Sequence, residues 1–480
     1  MRAGAAGWRT ARGRGGAMAG GAGLAPPAHL AQPPMPSAYQ PTLEQQFQWP
    51  WQGVDFSPAY VCYLLYMFVI SSYVLNIGQA VMGIALLAIT FGTRERWKFP
   101  VPMFFLTAFF LVVALTFKTT QYRSYTNQPL IDFFKVVLIT FVGVTVLDTR
   151  ARVRFFMVFY LASFALFPVR GGIFNWFIYR AATQGRVAWN HLFENPNDYA
   201  ALMLFPMGLC LATLLAEKSK LMRQAALLGT LAIPMLILMT QSRGAIIALG
   251  FAVVTYVLIQ NKGRGRSLMG IAAIAVVVGL FAPSAVWDRL TSLKSATESG
   301  NLNTANDSRS AEQRFEIWKV AWKVHQAFPL TGVGWAGYPN AHFDYARLTG
   351  IATLARGARD AHNTYLSLLG ETGWIGFSLW GGLIASIVAG AIRTMRRLRR
   401  YSAVHAEQLK MLLLALLAFG VAGMFGTFGG VSFSYVHLAA LMAMTAVSQR
   451  DVEAYERPRA RPRARSTDMT TAIDRGERRG

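Results

Sequence analysis

The sequence predicts an all-α, polytopic membrane protein with about twelve transmembrane helices and one large outer loop that contains an amphipathic helix. Three observations carry this. Of 480 residues, 54% are apolar and only 15% charged, against about 25% charged in soluble domains. Apolar stretches of roughly 20 residues, the length that crosses a bilayer as a helix, recur along the chain. The basic residues gather in short clusters between those stretches and in two tails. A net charge of +24 invites a nucleic-acid reading, but basic clusters alternating with apolar spans are the pattern of membrane topology, so no nucleic-acid partner is expected.

Residues 1–56 are rich in Gly, Ala, Pro and Arg and lack the compact apolar core of a signal peptide. They read as a disordered basic tail, with Met18 or Met35 as other candidate starts. Residues 57–285 hold nine apolar spans: 57–75, 77–93, 100–117, 129–147, 153–169, 198–216, 222–240, 244–260 and 267–285. The second is short enough to be tilted or re-entrant. Residues 286–363 form the long outer loop, 364–448 hold three more spans (364–391, 408–426 and 429–448), and 449–480 form an Arg/Pro-rich tail suited to anionic lipid headgroups. With both ends inside, every short inner segment is basic, as in Arg94/Arg96/Lys98, Arg150/Arg152/Arg154 and Lys218/Lys220/Arg223. That is the orientation that loop charge favours. Cys62 and Cys210 both fall inside spans, as small packed apolar groups and not a disulfide or metal site.

The outer loop contains the amphipathic helix. Ser310 with Gln313 fits a capping box, and Phe315, Trp318, Trp322 and His325 recur at helical spacing. Pro329 stops the helix, and Gly332-Val-Gly334-Trp335-Ala-Gly337 reads as a tight turn.

Candidate chemistry sits at the outer ends of spans. Ser242-Arg243-Gly244 opens the eighth span. An arginine at a helix N-terminus, with small neighbours that admit close backbone approach, suits an anion such as pyrophosphate; a snorkelling arginine at the membrane edge is the other reading. Arg314 lies on the loop helix, where a solvated face is the ordinary explanation. His362-Asn363 precedes the tenth span with Asp360 two residues before it; His accepts a proton near neutral pH, and it also serves as a cap. Asn197 or Asp198 would cap the sixth span. Glu371 lies about two turns inside the tenth span and needs a partner, an arginine being the obvious one. There is no Walker loop, dinucleotide fingerprint, HExxH or paired Asp-x-Asp. No cofactor and no metal are therefore expected.

These residues resemble the O-antigen ligase and O-antigen polymerase superfamily of bacterial inner membranes over roughly 57–448. The resemblance rests most on His362-Asn363-x-Tyr365-Leu with Glu371-x-Gly373-x-x-Gly376. Ser242-Arg243-Gly244, Asn195-Pro196-Asn197, Arg314-x-x-x-Trp318 and Gly332-x-Gly334 support it. It implies a metal-independent glycosyltransferase at the periplasmic face, with both termini cytoplasmic. The donor would be an undecaprenyl pyrophosphate-linked glycan, the acceptor a hydroxyl of lipid A-core or another glycan, and membrane lipids the surroundings. Carried onto this chain, Arg243 and Arg314 would bind the pyrophosphate and His362 would act on the acceptor hydroxyl, with Arg289 and Arg309 in the same loop as Arg314. Ser242, Gly244, Asn363, Tyr365, Gly334, Trp335 and Glu371 would contribute to substrate binding. Polymerase remains open beside ligase. A lipid-linked glycan transporter is the alternative class, since twelve spans with both ends inside is also a transporter layout. No two-half repeat is visible, however, and the polar residues gather at outer span ends.

Overall fold

A helix lies over each of the twelve apolar stretches. In the computed structural model, residues 49–181, 185–260, 264–281, 306–348, 350 and 355–457 are described. The helices are α1 (Pro58–Ser72), α2 (Gly78–Phe91), α3 (Val101–Thr119), α4 (Arg123–Val146), α5 (Arg150–Phe164), α6 (Arg170–Phe177), α7 (Pro196–Leu202), α8 (Leu204–Ala216), α9 (Lys220–Met239), α10 (Arg243–Ile259) and α11 (Arg264–Phe281). After them come α12 (Asn306–Ala327), α13 (Tyr338–Leu348), α14 (Thr364–Leu398), α15 (Ala403–Ala422) and α16 (Ser432–Glu456). A π-turn at Ala165–Val169, around Pro168, joins α5 to α6. Most of both tails, Arg289 and the outer loop before Asn306 lie outside the described residues, as do the side chains of 306–312, Arg309 among them.

Among the described residues, seven helices are long and apolar enough to cross a membrane, and α1, α2 and α10 are shorter apolar helices. These three have 15, 14 and 17 residues, below the roughly 20 that an untilted crossing needs. A polytopic membrane protein is therefore supported at seven spans by length and composition, where the sequence predicts twelve.

Both cysteines are free and buried. They belong to the main core, which runs through α1–α5, α8–α10 and α14–α16. Large apolar side chains such as Leu87, Phe104, Leu115, Leu228 and Leu258 point outward from the bundle, as lipid-facing residues do. A second, smaller core joins Ile317, Val320, Ala321 and Val324 of α12 to Val333, Tyr338, Ala341, Ala361 and Tyr122. The outer loop thus has its own apolar centre.

Two details of α12 differ from the sequence expectation. The helix already runs from Asn306, so Ser310 lies inside it and not at its N-cap; Asn306, Asp307 and Ser308 are themselves residues favoured at a helix start, so the helix begins a turn before the motif. The buried stripe is also the aliphatic one, while Phe315 and Trp322 face outward. The first turn of α7 is capped by Asn195, whose side chain accepts from the Asn197 N–H, and not by Asn197 or Asp198.

The basic cluster opening α5 makes buried ion pairs. Arg150 bonds Asp451 at 2.8 Å and Ser448 at 3.2 Å on α16. Arg152 bonds Glu95 and Asp148, both at 3.1 Å. Arg154 makes a two-pronged pair with Glu217 at 2.5 and 2.8 Å, and also holds the Trp49 and Pro50 carbonyls. All three arginines are buried. Removing one partner of such a pair strands a charge and costs about 3–5 kcal/mol. Asp451→Ala is therefore expected to lower the melting temperature of the detergent-solubilised protein clearly, and the double change Arg150→Met/Asp451→Leu to recover most of the loss. An unchanged melting curve for the single variant would refute the clamp.

α14 is broken. Gly373 sits at φ 60°, ψ −169° inside it, and the turn after α12 docks into the break. Val333 and Gly334 N–H donate to the freed Gly370 and Glu371 carbonyls, both at 2.9 Å, while Trp374 and Ile375 N–H donate to Pro329 and Leu330 carbonyls at 2.8 and 3.2 Å. Backbone groups that helix termination would leave unpaired are satisfied by the loop. This joint fixes the outer loop to the bundle at the level of the candidate site.

Candidate functional site

The turn between α9 and α10 reverses through Gln241 at φ 54°, a left-handed conformation uncommon outside glycine. It delivers Ser242 as N-cap and Arg243 as the first residue of α10. The segment 185–187 lies alongside: Val187 N–H donates to the Met239 carbonyl and Gln241 Nε2 to the Gly185 carbonyl. Arg186 is thereby fixed, with Nε on the Thr240 carbonyl at 2.6 Å and Nη2 on Asn197 Oδ1 at 2.7 Å. α12 supplies Arg314. These elements enclose a cavity of about 80 Å³ lined by Arg186, Asn197, Ser242, Arg243, Arg314 and Phe425, among others. None of the described lining residues is acidic. Gly244 also lines it; a Cβ there would fall 2.7 Å from Phe425 Cβ, so close packing requires glycine.

Arg314 is half-buried and makes no hydrogen bond or ion pair among the described residues. Burial, and then the nearby Arg243 guanidinium, pull its pKa below the usual arginine range. Cations held together at a partly dry site are relieved by an anion. Arginine forks and a helix N-terminus suit phosphate oxygens.

His362 is not among the residues that line this cavity; it is within electrostatic reach of Arg314, which is. Its backbone is left-handed at φ 45°. Trp318, one turn after Arg314 on α12, donates Nε1–H to the Ala361 carbonyl at 2.9 Å. On the other side Asn363 caps α14, accepting from Tyr365 and Leu366 N–H at 3.0 and 3.1 Å. Thr364 is tied to the Gly423 and Gly426 carbonyls, both at 2.7 Å. Anchors on both sides hold a strained residue in place, as functional sites often do. Burial and the Arg314 charge lower the His362 pKa, opposed by Asp360. The neutral form of the imidazole, the one able to take a proton, is thereby favoured.

The remaining sequence-nominated residues divide by position. Tyr365 donates its hydroxyl to the Gly420 carbonyl at 2.7 Å and lines an apolar cavity of about 390 Å³, which shares Phe428 with the cationic one. Gly334 lies in the docked turn, and buried Trp335 packs on Phe133 with ring centroids 4.4 Å apart. Glu371 is buried at the helix break, bonded by Ser367 Oγ at 3.2 Å and faced by the Ala336 and Tyr338 N–H groups. Among the described residues its partners are these and not an arginine, because the break and the docked turn present donors of their own. Arg186 carried no sequence motif. The one signal was its position after Gly185, just before the Asn195-Pro196-Asn197 turn.

With this geometry in view, one comparison bears on the family. Residues 226–381 match the family model described as O-antigen ligase. That part of the chain is an O-antigen ligase-family domain. No curated protein matches the chain significantly. The matched segment of the O-antigen ligase-family domain contains Arg243, Arg314 and His362, while Arg186 and Asn197 precede it. Members of the family are glycosyltransferase-like enzymes, and lipid-linked glycans and their acceptors are the partners that membership implies.

Proposed function

We propose that the protein transfers a glycan from undecaprenyl pyrophosphate to an acceptor hydroxyl, of lipid A-core or similar, at the periplasmic face of the bacterial inner membrane. Both termini would be cytoplasmic. The observation that carries this is the convergence of Arg186, Arg243 and Arg314 on one cavity, with His362 in electrostatic reach of Arg314. The apolar cavity beside it offers room for part of the isoprenoid chain.

In the reaction, the acceptor oxygen attacks the anomeric carbon, and the bond from that carbon to the phosphate oxygen breaks. The electron pair leaves with the pyrophosphate, where the arginines stabilise it. The acceptor proton passes to the neutral His362 imidazole, general-base help typically contributing about 10²–10⁴-fold. No metal is given a role.

The test is purified protein with a polyprenyl pyrophosphate-linked oligosaccharide and an acceptor glycan. New glycoside with released polyprenyl pyrophosphate supports the proposal; movement of the donor across liposomes without glycoside formation defeats it. Ligase and polymerase share this donor chemistry. The surface glycan of a deletion strain separates them: loss of all long chains from lipid A-core points to ligase, and single repeats left on the core point to polymerase.

A pH dependence follows from the lowered His362 pKa. A base with a depressed pKa stays neutral, hence active, to lower pH. The acidic limb of kcat/KM is expected below the ordinary His value of about 6.5, and Asp360→Asn, which removes the opposing carboxylate, is expected to move it lower still. A limb that Asp360→Asn moves upward would contradict His362 as the titrating base.

A further inference from the structure

A third cavity, of about 400 Å³, opens at the helix break, between α4, the broken part of α14 and the turn into α16. Its size falls in the roughly 300–1,000 Å³ range of small-molecule sites. Its chemistry is opposite to that of the arginine cavity. Asp132, Asp360 and Glu371 line it, with the hydroxyls of Thr427 and Ser432 and the rings of Phe133 and Trp335. Lys135 and Gln128 both bond Asp132 Oδ1, at 2.9 and 3.1 Å, and its Oδ2 has no bond among the described residues. Asp360 likewise makes no hydrogen bond among them. Two acceptor carboxylates therefore face the cavity with capacity to spare.

This lining excludes a phosphate, which like charges repel. Among the described residues no group of His, Cys, Asp or Glu is arranged to hold a metal ion. A neutral polyol fits: its hydroxyls donate to carboxylates in charge-assisted bonds, and aromatic surface takes its C–H faces. The two cavities flank one segment, with Phe425 and Phe428 lining the first and Thr427 and Gly429 the second. His362 feels Arg314 of the first and Asp360 of the second, and Asp360 is also within electrostatic reach of Glu371 and of Asp198 beside the first.

We propose that the cavity lined by Asp132, Asp360, Glu371, Ser432, Phe133 and Trp335 is the acceptor subsite, binding a sugar unit of the receiving glycan. This rests on the glycosyl-transfer reading and adds to it a division of labour: phosphate on the arginine side, acceptor sugar on the carboxylate side, His362 shared. It also narrows the substrate-binding role of Trp335 and Glu371 to the acceptor.

The test uses the intact protein in detergent and two probes that need no turnover. Inorganic pyrophosphate is titrated for the arginine cavity. The methyl glycosides of glucose, galactose, mannose and N-acetylglucosamine are screened by saturation-transfer NMR for the carboxylate cavity. Asp132 and Thr427 are both exposed, so Asp132→Asn and Thr427→Trp leave the core intact. Asp132→Asn is expected to weaken sugar binding about tenfold, the scale of one hydrogen bond to a charged group, and Thr427→Trp to weaken it by filling the cavity, both with pyrophosphate binding unchanged; Arg243→Ala is expected to do the reverse. The proposal is overturned if no glycoside binds, if both variants bind sugar like wild type, or if sugar binding is lost in Arg243→Ala instead. Failure of wild type to bind pyrophosphate would count against the donor site and not against the acceptor subsite.

Discussion

Arg243→Ala is expected to cut glycan transfer by about 10²–10³-fold, mainly in kcat, the usual loss when one preorganised donor to a developing negative charge is removed. The variant should still insert and accumulate, because the side chain lines a cavity and is not core. Arg314→Ala should behave similarly. Arg186→Ala should too, since its guanidinium lines the same cavity while holding Asn197 and the Thr240 carbonyl. Arg243→Lys should recover only part of the rate, because an ammonium keeps the charge but not the planar fork that meets two oxygens at once. Transfer assays with the purified variants, alongside membrane abundance, check this. Full activity in Arg243→Ala and Arg314→Ala together would remove the basis for the proposed function.

The second large effect is structural. Gly373→Ala places a Cβ 2.3 Å from the Leu330 carbonyl carbon and oxygen, at a φ of +60°. Both the backbone conformation and the contact are unavailable to alanine; the conformational part alone costs about 1–3 kcal/mol. Gly332→Ala meets the Glu371 backbone at 2.2 Å, also at positive φ. Either change is expected to undock the turn after α12 from α14, freeing Arg314, Trp318 and His362 from their common frame. Limited proteolysis should then cut the outer loop faster than in wild type, and transfer should fall even where the bundle still forms. Wild-type proteolysis and activity in Gly373→Ala would show that the joint does not hold the loop.

The helices were legible because long apolar runs leave few alternatives, although only seven of them reach membrane length among the described residues. Arg243, Arg314 and His362 were nominated because each sits at a helix start or on an amphipathic helix that a motif marks, and the structure brings Arg243 and Arg314 to one cavity. What the sequence withheld depends on tertiary contact. Arg186 reaches the cavity only because segment 185–187 pairs with residues 239–241. The break at Gly373 was hidden in a continuous apolar run, and its cause, the docked turn at Gly332–Gly334, lies some forty residues earlier. Glu371 pointed to an arginine by charge logic, yet the break supplied Ser367 and backbone amides instead. The arginines of α5 read as topology signals, whereas their side chains are spent on Asp451, Glu95 and Glu217.

The most direct measurement is the binding of undecaprenyl pyrophosphate itself to the purified protein, by native mass spectrometry, across wild type and the single alanine variants of Arg186, Arg243 and Arg314. If the three guanidinium groups grip one pyrophosphate, wild type should retain the lipid and each variant should lose most of it, while undecaprenol, which lacks the phosphates, should bind wild type and variants alike. Retention of the pyrophosphate lipid by all three variants at the wild-type level would contradict the account.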